Sequence, residues 1–187
     1  MKKALIILAG CCSGAQTFAQ GTLVFANLAS GVNAPITYST VGPCVGLTNP
    51  IFVADLYWSN TTNAPSDSLT AAGFNVPFST ATAGGGGYFF GGTRTVTGAG
   101  GFIEAQVRVW DSRFGGTFDA ARTAGGLVGL SAPIVMVLAI PPAPAPPMAG
   151  LQGFTLCVPE PSSFALAALA VVLIFHHRRL WSAERRN

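Results

Sequence analysis

The sequence predicts an all-β fold for the region from Gln20 to Val158. Segments rich in β-branched and aromatic residues recur about every 8–12 residues, with turn-forming residues between them. The chain contains 23 glycines and 13 prolines, which is typical of many turns between short strands. The clearest segment, Phe102–Trp110, alternates apolar and polar side chains with the period of two that a strand requires. These observations favour one antiparallel β-sandwich of immunoglobulin-like or jelly-roll-like type.

The expected strands, in chain order, are Thr22–Leu28, Ile36–Thr40, Ile51–Ser59, Asn75–Thr80, Gly87–Gly91, Thr93–Thr97, Phe102–Trp110, Ser131–Ile140 and Leu151–Val158. Within Phe102–Trp110 the odd-numbered apolar residues are expected to face a core. The polar residues between them, Glu104, Gln106 and Arg108, are expected to face water. This alternation is the strongest local argument for a sheet with one buried face.

Two stretches of the same region are not expected to be strands. Phe118–Arg122 is expected to form one helical turn. Pro141–Pro147 holds five prolines in seven residues, which predicts an exposed, extended loop of polyproline II type.

The charges of the chain are few and unevenly placed. Charged residues make up 9% of the sequence, low for a cytosolic globular protein. The net charge of +3 comes from Lys2, Lys3 and the C-terminal arginines, whereas residues 20–158 carry four arginines against four aspartates and one glutamate, a net charge of −1. Nucleic-acid recognition needs a basic surface. The region is therefore not expected to bind nucleic acid.

Residues 1–19 have the three parts of a secretory signal peptide. Lys2–Lys3 forms the basic start and Ala4–Cys12 the apolar centre. Thr17 and Ala19 supply small residues at the positions that signal peptidase reads. The sequence therefore predicts export, with cleavage between Ala19 and Gln20.

A second interpretation of this stretch is a lipoprotein signal. Leu8–Cys11 reads Leu-Ala-Gly-Cys, a pattern in which Cys11 would carry a lipid anchor. Only five apolar residues would then lie between Lys3 and Ala9, which is short for the apolar centre of a signal peptide. Cleavage at Ala19 is favoured, and acylation of Cys11 is the alternative.

The C-terminal part of the chain predicts a membrane-spanning helix over residues 161–181. Phe164–Phe175 contains no polar residue, and the whole stretch would reach roughly 30 Å as a helix. Arg178 and Arg179 follow the apolar run. By the positive-inside rule these arginines anchor the C-terminus in the cytoplasm and place residues 20–158 outside. The β domain is thus expected between an N-terminal signal helix and a C-terminal transmembrane helix.

Val158, Pro159, Glu160 and Pro161 stand directly before the apolar run and the arginine cluster. This arrangement, over residues 159–187, resembles the PEP-CTERM sorting domain of exported bacterial proteins. The resemblance implies that an exosortase, an integral-membrane cysteine transpeptidase, recognises and cleaves the segment. It also implies a precursor tethered in the inner membrane of a Gram-negative bacterium, which then moves to the cell surface or an extracellular polysaccharide matrix. The tail after the arginine cluster is longer than is usual in that family.

The domain itself resembles a pattern that recurs in such precursors. The matching segments are Gly21–Phe25 (Gly-Thr-Leu-Val-Phe), Ala54–Tyr57, Gly87–Phe89 with Gly91-Gly92, and Gln106–Asp111. The resemblance implies a family of exported domains and no particular activity.

Cys44 and Cys157 are the cysteines that remain after the predicted signal cleavage. In an oxidising compartment they are a candidate disulfide, and two free thiols agree with the sequence equally well. The region 20–158 contains no histidine, so it has no serine–histidine or cysteine–histidine pair for nucleophilic catalysis.

Two arrangements of carboxylates are candidate chemical sites. Asp55, Asp111 and Asp119 could supply oxygen ligands to calcium, but their spacing matches no calcium-binding loop. Glu104 with Asp111 or Asp119 could form the carboxylate pair of a glycosidase. Both interpretations are weaker than solvated faces and turn caps. No catalytic, metal-binding or cofactor-binding residue, and no cofactor, is therefore predicted.

The favoured function is a non-enzymatic protein of the cell envelope or extracellular matrix. The alternative is a module that binds exopolysaccharide, which predicts a row of exposed aromatic side chains on one sheet face. The candidates for that row are Tyr57, Trp58, Tyr88, Phe89, Phe90 and Trp110. A secreted hydrolase is the third interpretation, and it predicts two carboxylates about 5–10 Å apart.

Overall fold

The computed structural model describes residues 20–39, 45–82 and 86–156. Several predictions of the sequence analysis lie outside these ranges: the signal peptide with Cys11 and Ala19, Cys44, Cys157, the motif Val158–Pro161, the membrane-spanning segment, and Arg178–Arg179. Among the residues that the structure describes, no helix is long and apolar enough to cross a membrane.

The described residues form β-strands and one short α-helix. The strands are β1 (Gln20–Ala26), β2 (Leu28–Ala29), β3 (Val32–Asn33), β4 (Thr37–Tyr38), β5 (Val45–Gly46), β6 (Phe52–Ser59), β7 (Thr70–Ala71), β8 (Val76–Pro77), β9 (Phe90–Thr97), β10 (Phe102–Asp111), β11 (Val128–Leu130), β12 (Ile134–Val137) and β13 (Thr155–Leu156). The helix is α1 (Phe118–Thr123), and 3-10 turns cover Ser66–Ser68 and Ser112–Phe114. The all-β prediction is confirmed at this level, and so is the helical turn near residue 120.

The largest sheet is built around β6 and β10. These strands pair antiparallel in continuous register from Glu104 opposite Ser59 to Asp111 opposite Phe52. On its other edge β10 pairs with β12 and β11, and β6 pairs with β7 and β8. Long β-branched and aromatic runs favour this pleated pairing, so the two strands with the clearest β-propensity form the centre of the sheet.

The other strands form three smaller sheets. β1 pairs antiparallel with β9, from Gln20 opposite Thr97 to Ala26 opposite Phe90. The β2–β3 hairpin follows β1, and the order β13–β4–β5 includes one parallel pair, β4 with β13. The free edge of β1 is covered by isolated bridges, Thr22 with Ala139 and Val24 with Pro147.

The main hydrophobic core contains side chains from most of these strands. Leu23 and Phe25 of β1 and the odd-numbered residues of β10 from Ile103 to Val109 are buried in it. Phe25 lies at ring-centroid distances of 4.8 Å from Phe89 and 5.1 Å from Phe74. Aromatic contacts at these distances stabilise a core beyond the area that they bury.

The prediction that the polar face of β10 is exposed to water is wrong. Glu104, Gln106 and Arg108 are 4%, 3% and 4% exposed. Their face of the sheet is covered by α1 and by the segment 64–69, which form a second apolar cluster with Tyr57 and Trp110. The alternation along β10 therefore separates two buried faces, and each polar side chain on the second face needs a hydrogen-bond partner.

The proline-rich segment is only partly the exposed loop that its composition predicts. Pro141–Pro144 is exposed, and the Ala143 N–H closes a turn by donating to the Ile140 carbonyl at 3.0 Å. Pro146 and Pro147, in contrast, pack along the edge of β1, where the Val24 N–H donates to the Pro146 carbonyl at 2.8 Å. A residue without an N–H can lie at a sheet edge and still offer its carbonyl.

Candidate functional site

The segments that resemble the recurring pattern come together in two places. The first lies around Asn27, the residue directly after β1. Its fully buried amide donates to the carbonyls of Ala34 and Gly87, both at 2.7 Å, and its carbonyl oxygen accepts from the Phe89 N–H at 2.8 Å. Three segments are thus joined by one side chain with no unsatisfied polar atom, as buried amides require. The role of Asn27 was not predictable from the sequence, because a single asparagine after a strand ordinarily indicates a turn.

Gly87 explains part of the same pattern. An ideal Cβ at this position would lie 2.5 Å from the Ile36 carbonyl oxygen, and its φ is +89°. The Ile36 N–H donates to the Gly87 carbonyl at 2.9 Å. Close backbone approach combined with positive φ requires glycine. This segment therefore serves packing, and we find no ligand-binding role for its glycine.

The second place is the covered face of β10, which we call the Arg108 cluster (Arg108, Gln106, Ser66, Tyr57 and Phe118). The Arg108 guanidinium carbon lies 3.9 Å from the Tyr57 ring centroid and 5.1 Å from that of Phe118. Its Nε donates to Gln106 Oε1 at 3.0 Å, and its Nη2 donates to the Ser66 carbonyl and hydroxyl. Within the described residues no carboxylate pairs with it. Arg108 is therefore held by rings and neutral acceptors.

The polar groups next to Arg108 also have hydrogen-bond partners within the protein. The Gln106 amide donates to the Ser131 carbonyl at 3.0 Å, and the Val107 N–H donates to the Ser131 hydroxyl at 3.0 Å. Glu104 accepts from the Ala64 N–H at 3.2 Å. Burial raises the pKa of the Tyr57 hydroxyl, and the charge of Arg108 opposes that shift. The cluster ties the segment 64–69 to the sheet.

The candidate calcium ligands do not come together. Asp55 is buried and accepts from the Leu56, Gly73 and Phe74 N–H groups, so it holds the loop after β7, and burial raises its pKa. Asp119 lies exposed on α1. No three His, Cys, Asp or Glu side chains are grouped for a metal in the part of the chain that the structure describes.

Of the two candidate glycosidase pairs, Glu104 with Asp111 is separated, and Glu104 with Asp119 stays a prediction. Glu104 and Asp111 are seven residues apart on the continuous strand β10, which corresponds to about 23 Å. This distance is well beyond the roughly 5–10 Å that glycoside hydrolysis requires. Asp111 is instead paired with Arg113, whose Nη2 lies 2.6 Å from its Oδ2.

The hydrogen bonds from Arg113 hold the pKa of Asp111 below its ordinary value. A carboxylate with a lowered folded-state pKa stabilises the fold above its unfolded pKa, and this contribution is lost as pH falls through the folded-state pKa. We expect the difference in free energy of unfolding between wild type and Asp111→Asn to be constant from about pH 5 to 7 and to shrink below about pH 4. Urea titrations at several pH values measure it.

Arg113→Gln is the matched partner variant for this experiment. Because it removes the same ion pair, its difference from wild type should shrink over the same pH range. The raised pKa of Asp55 is common to all three proteins and cancels in the comparison. A difference that stays unchanged down to pH 2–3 would contradict the proposed coupling between Asp111 and Arg113.

The row of exposed aromatic side chains that sugar binding would require on a sheet face is not present among the described residues. Tyr57, Tyr88, Phe89 and Trp110 are buried, and Trp58 is half-buried. Of these candidates only Phe90 is well exposed, at 56%. A platform that stacks successive sugar rings cannot be built from these residues alone, and carbohydrate binding stays a prediction.

A pocket lies elsewhere, beside the start of β6 and the end of β10, and we call it the Tyr38 pocket. Its volume is about 210 Å³. Its lining residues are Tyr38, Thr48, Asn49, Ile51, Phe52, Arg113 and Leu127. The Tyr38 and Phe52 rings lie 6.0 Å apart. No sequence pattern indicates this pocket, because its residues come from four distant parts of the chain.

Two described residues next to the candidate disulfide lie close to this pocket. Val45 and Leu156 flank Tyr38 on its two sides in the sheet β13–β4–β5. Two strand spacings separate them by about 10 Å, more than the roughly 4.4–6.8 Å usual between bridged cysteines. Cys44 and Cys157 themselves lie outside the described residues, and a bond between them stays a prediction.

Comparisons of the chain with protein-family models, with curated proteins and with solved structures found no match in any of the three.

Proposed function

We propose that the chain is an exported, non-enzymatic protein of the cell envelope or extracellular matrix, sorted by an exosortase through its PEP-CTERM segment. In this proposal signal peptidase removes residues 1–19 and the inner membrane holds the precursor of a Gram-negative bacterium. The exported part is an antiparallel β-sandwich of immunoglobulin-like or jelly-roll-like type that works without a cofactor.

The non-enzymatic part of the proposal rests on one observation: the buried charged groups form their hydrogen bonds and ion pair within the protein. Asp55 accepts from three backbone amides, and Glu104 accepts from the Ala64 amide. Arg108 is enclosed by two rings and neutral acceptors, and Asp111 is paired with Arg113. Catalytic acids and bases need access to a substrate proton. These groups instead join loops to the central sheet, which is the role of structural residues.

The position of the domain supports the sorting part. The described strands lie within residues 20–156, and the motif Val158–Pro161 follows them in the sequence. A domain with separate removable addresses at its ends is what export and subsequent sorting require.

The proposal is tested with Glu160→Gln in the native host, followed by the size and fractionation of the protein on immunoblots. Glu184→Gln is the matched control, because it makes the same chemical change in the tail beyond the arginine cluster. We expect wild type and Glu184→Gln to be processed, and Glu160→Gln to accumulate at precursor size in the inner membrane. An unchanged processed product from Glu160→Gln would refute cleavage that depends on the motif.

A further inference from the structure

The Tyr38 pocket has the size and chemistry of a site for one small polar ring. Its volume of about 210 Å³ is below the roughly 300–1,000 Å³ of pockets for drug-sized ligands. Tyr38, Ile51 and Leu127 are half-buried around it and offer apolar surface. Such surface suits the C–H face of a single sugar ring, which has one apolar face and a polar circumference.

Hydrogen bonds within the protein orient Asn49 at this pocket and leave its side-chain N–H donors available to a ligand. Asn49 Oδ1 already accepts from the Ile51 N–H at 3.1 Å, and the Asn49 carbonyl accepts from the Phe52 N–H at 3.1 Å. This asparagine is therefore oriented by its acceptor atoms, and its NH₂ group remains as a donor. An oriented donor loses little freedom when it binds.

Arg113 adds a second fixed donor group. Its Nε and Nη2 donate to Asp111, and the Arg113 N–H also donates to Asp111 Oδ1 at 3.0 Å. A guanidinium has five N–H donors and no acceptor, so donors remain beyond those that Asp111 takes. Asn49 and Arg113 both line the pocket, and their remaining N–H donors favour a ligand that accepts twice. A carboxylate is the strongest such acceptor.

We propose that the Tyr38 pocket binds one uronate unit of an acidic polysaccharide. The carboxylate accepts from Asn49 and Arg113, and the sugar ring packs on Tyr38. This assignment stands on the pocket and does not depend on the sorting segment, so the two proposals can fail separately. It identifies a sugar site that is distinct from the aromatic sheet face considered from the sequence.

The test measures binding of the full chain, in mild non-ionic detergent, to immobilised polygalacturonate and to its methyl ester. The ester has the same backbone without the negative charge. We expect binding to the acid to be at least about tenfold tighter than to the ester, since the charge-assisted hydrogen bonds are lost. Equal binding to the two polymers, or binding to neither, would overturn the proposal.

Asn49→Asp is the diagnostic variant. It keeps the acceptor for the Ile51 N–H and replaces the donor by a negative oxygen that repels a carboxylate. The matched control is Asn60→Asp, an exposed asparagine beyond the other end of β6, about 26 Å away along the strand. Both variants add one negative charge. They therefore change the non-specific attraction between the acidic polymer and the basic C-terminal tail equally.

We expect Asn49→Asp to lower affinity for polygalacturonate at least about tenfold relative to Asn60→Asp. Asn49→Ala, which removes the donor without changing the net charge, should weaken binding in the same direction. Melting temperatures of the variants, compared with wild type, verify that each is folded. Equal affinity of Asn49→Asp and Asn60→Asp would place the binding outside this pocket and overturn the proposal.

Discussion

Arg108→Ala is expected to lower the free energy of unfolding by at least about 3 kcal/mol. The substitution empties the space between the Tyr57 and Phe118 rings and removes a desolvated cation–π contact. It also takes a donor from Gln106 Oε1 and from the Ser66 carbonyl. Gln106 Oε1 keeps the hydrogen bond from the Ser66 hydroxyl at 3.0 Å, and the Ser66 carbonyl keeps the one from the Leu69 N–H at 3.3 Å. The expected loss therefore comes mainly from the emptied space and the lost ring contacts. Urea unfolding followed by tryptophan fluorescence measures the loss.

Arg122→Ala is the control for this variant. Arg122 is exposed on α1, and substitutions at such positions usually change stability by less than about 0.5 kcal/mol. Arg108→Lys should fall between the two, because one ammonium group cannot stack on two rings and reach both acceptors. If Arg108→Ala were as stable as Arg122→Ala, relief of a buried charge without a carboxylate partner would outweigh the lost contacts.

Gly87→Ala is expected to destabilise the fold by at least about 4 kcal/mol or to prevent folding. The new Cβ would meet the Ile36 carbonyl oxygen and nitrogen, at 2.5 and 2.8 Å from its ideal position. These are backbone atoms of a hydrogen-bonded segment, and they cannot move without breaking the Ile36–Gly87 bond. The yield of protease-resistant protein and its melting temperature measure the effect.

Gly92→Ala separates the clash from the backbone strain. Gly92 also has a positive φ, +68°, but an added Cβ would meet nothing within 4 Å. It should therefore cost only the left-handed conformation, about 1–2 kcal/mol. If both alanine variants lost the same stability, the contact with Ile36 would not be what requires glycine at position 87.

The sequence predicted where the strands lie along the chain better than it predicted which faces of the strands are buried. The alternation along β10 identified a strand, and its apolar residues are in the core. The sequence predicts that the polar residues are exposed, because alternation shows that the two faces of the strand differ. It does not show what covers the second face. The cover comes from α1 and the segment 64–69, whose docking depends on tertiary contacts of Phe118 and Ser66.

The polar side chains that organise the structure were not predictable from spacing. Asn27 bonds to residues 7, 60 and 62 positions away. The Tyr38 pocket combines residues near 38, 50, 113 and 127. No local pattern records such convergence, because loops bring the groups together only after the sheets have formed. The predicted signal peptide and sorting segment, in contrast, would be linear signals, so their prediction rests on order and spacing along the chain alone.

The pairing of β1 has a consequence for the proposed export. β1 is the first strand of the domain, yet it pairs with residues near 97 and is bordered by Ala139 and Pro147. A chain that is threaded N-terminus first would deliver β1 long before these partners. Non-local pairing delays folding, so under the proposed export this pairing could form only after those partners have crossed. The domain would close only when nearly all of it has emerged on the far side.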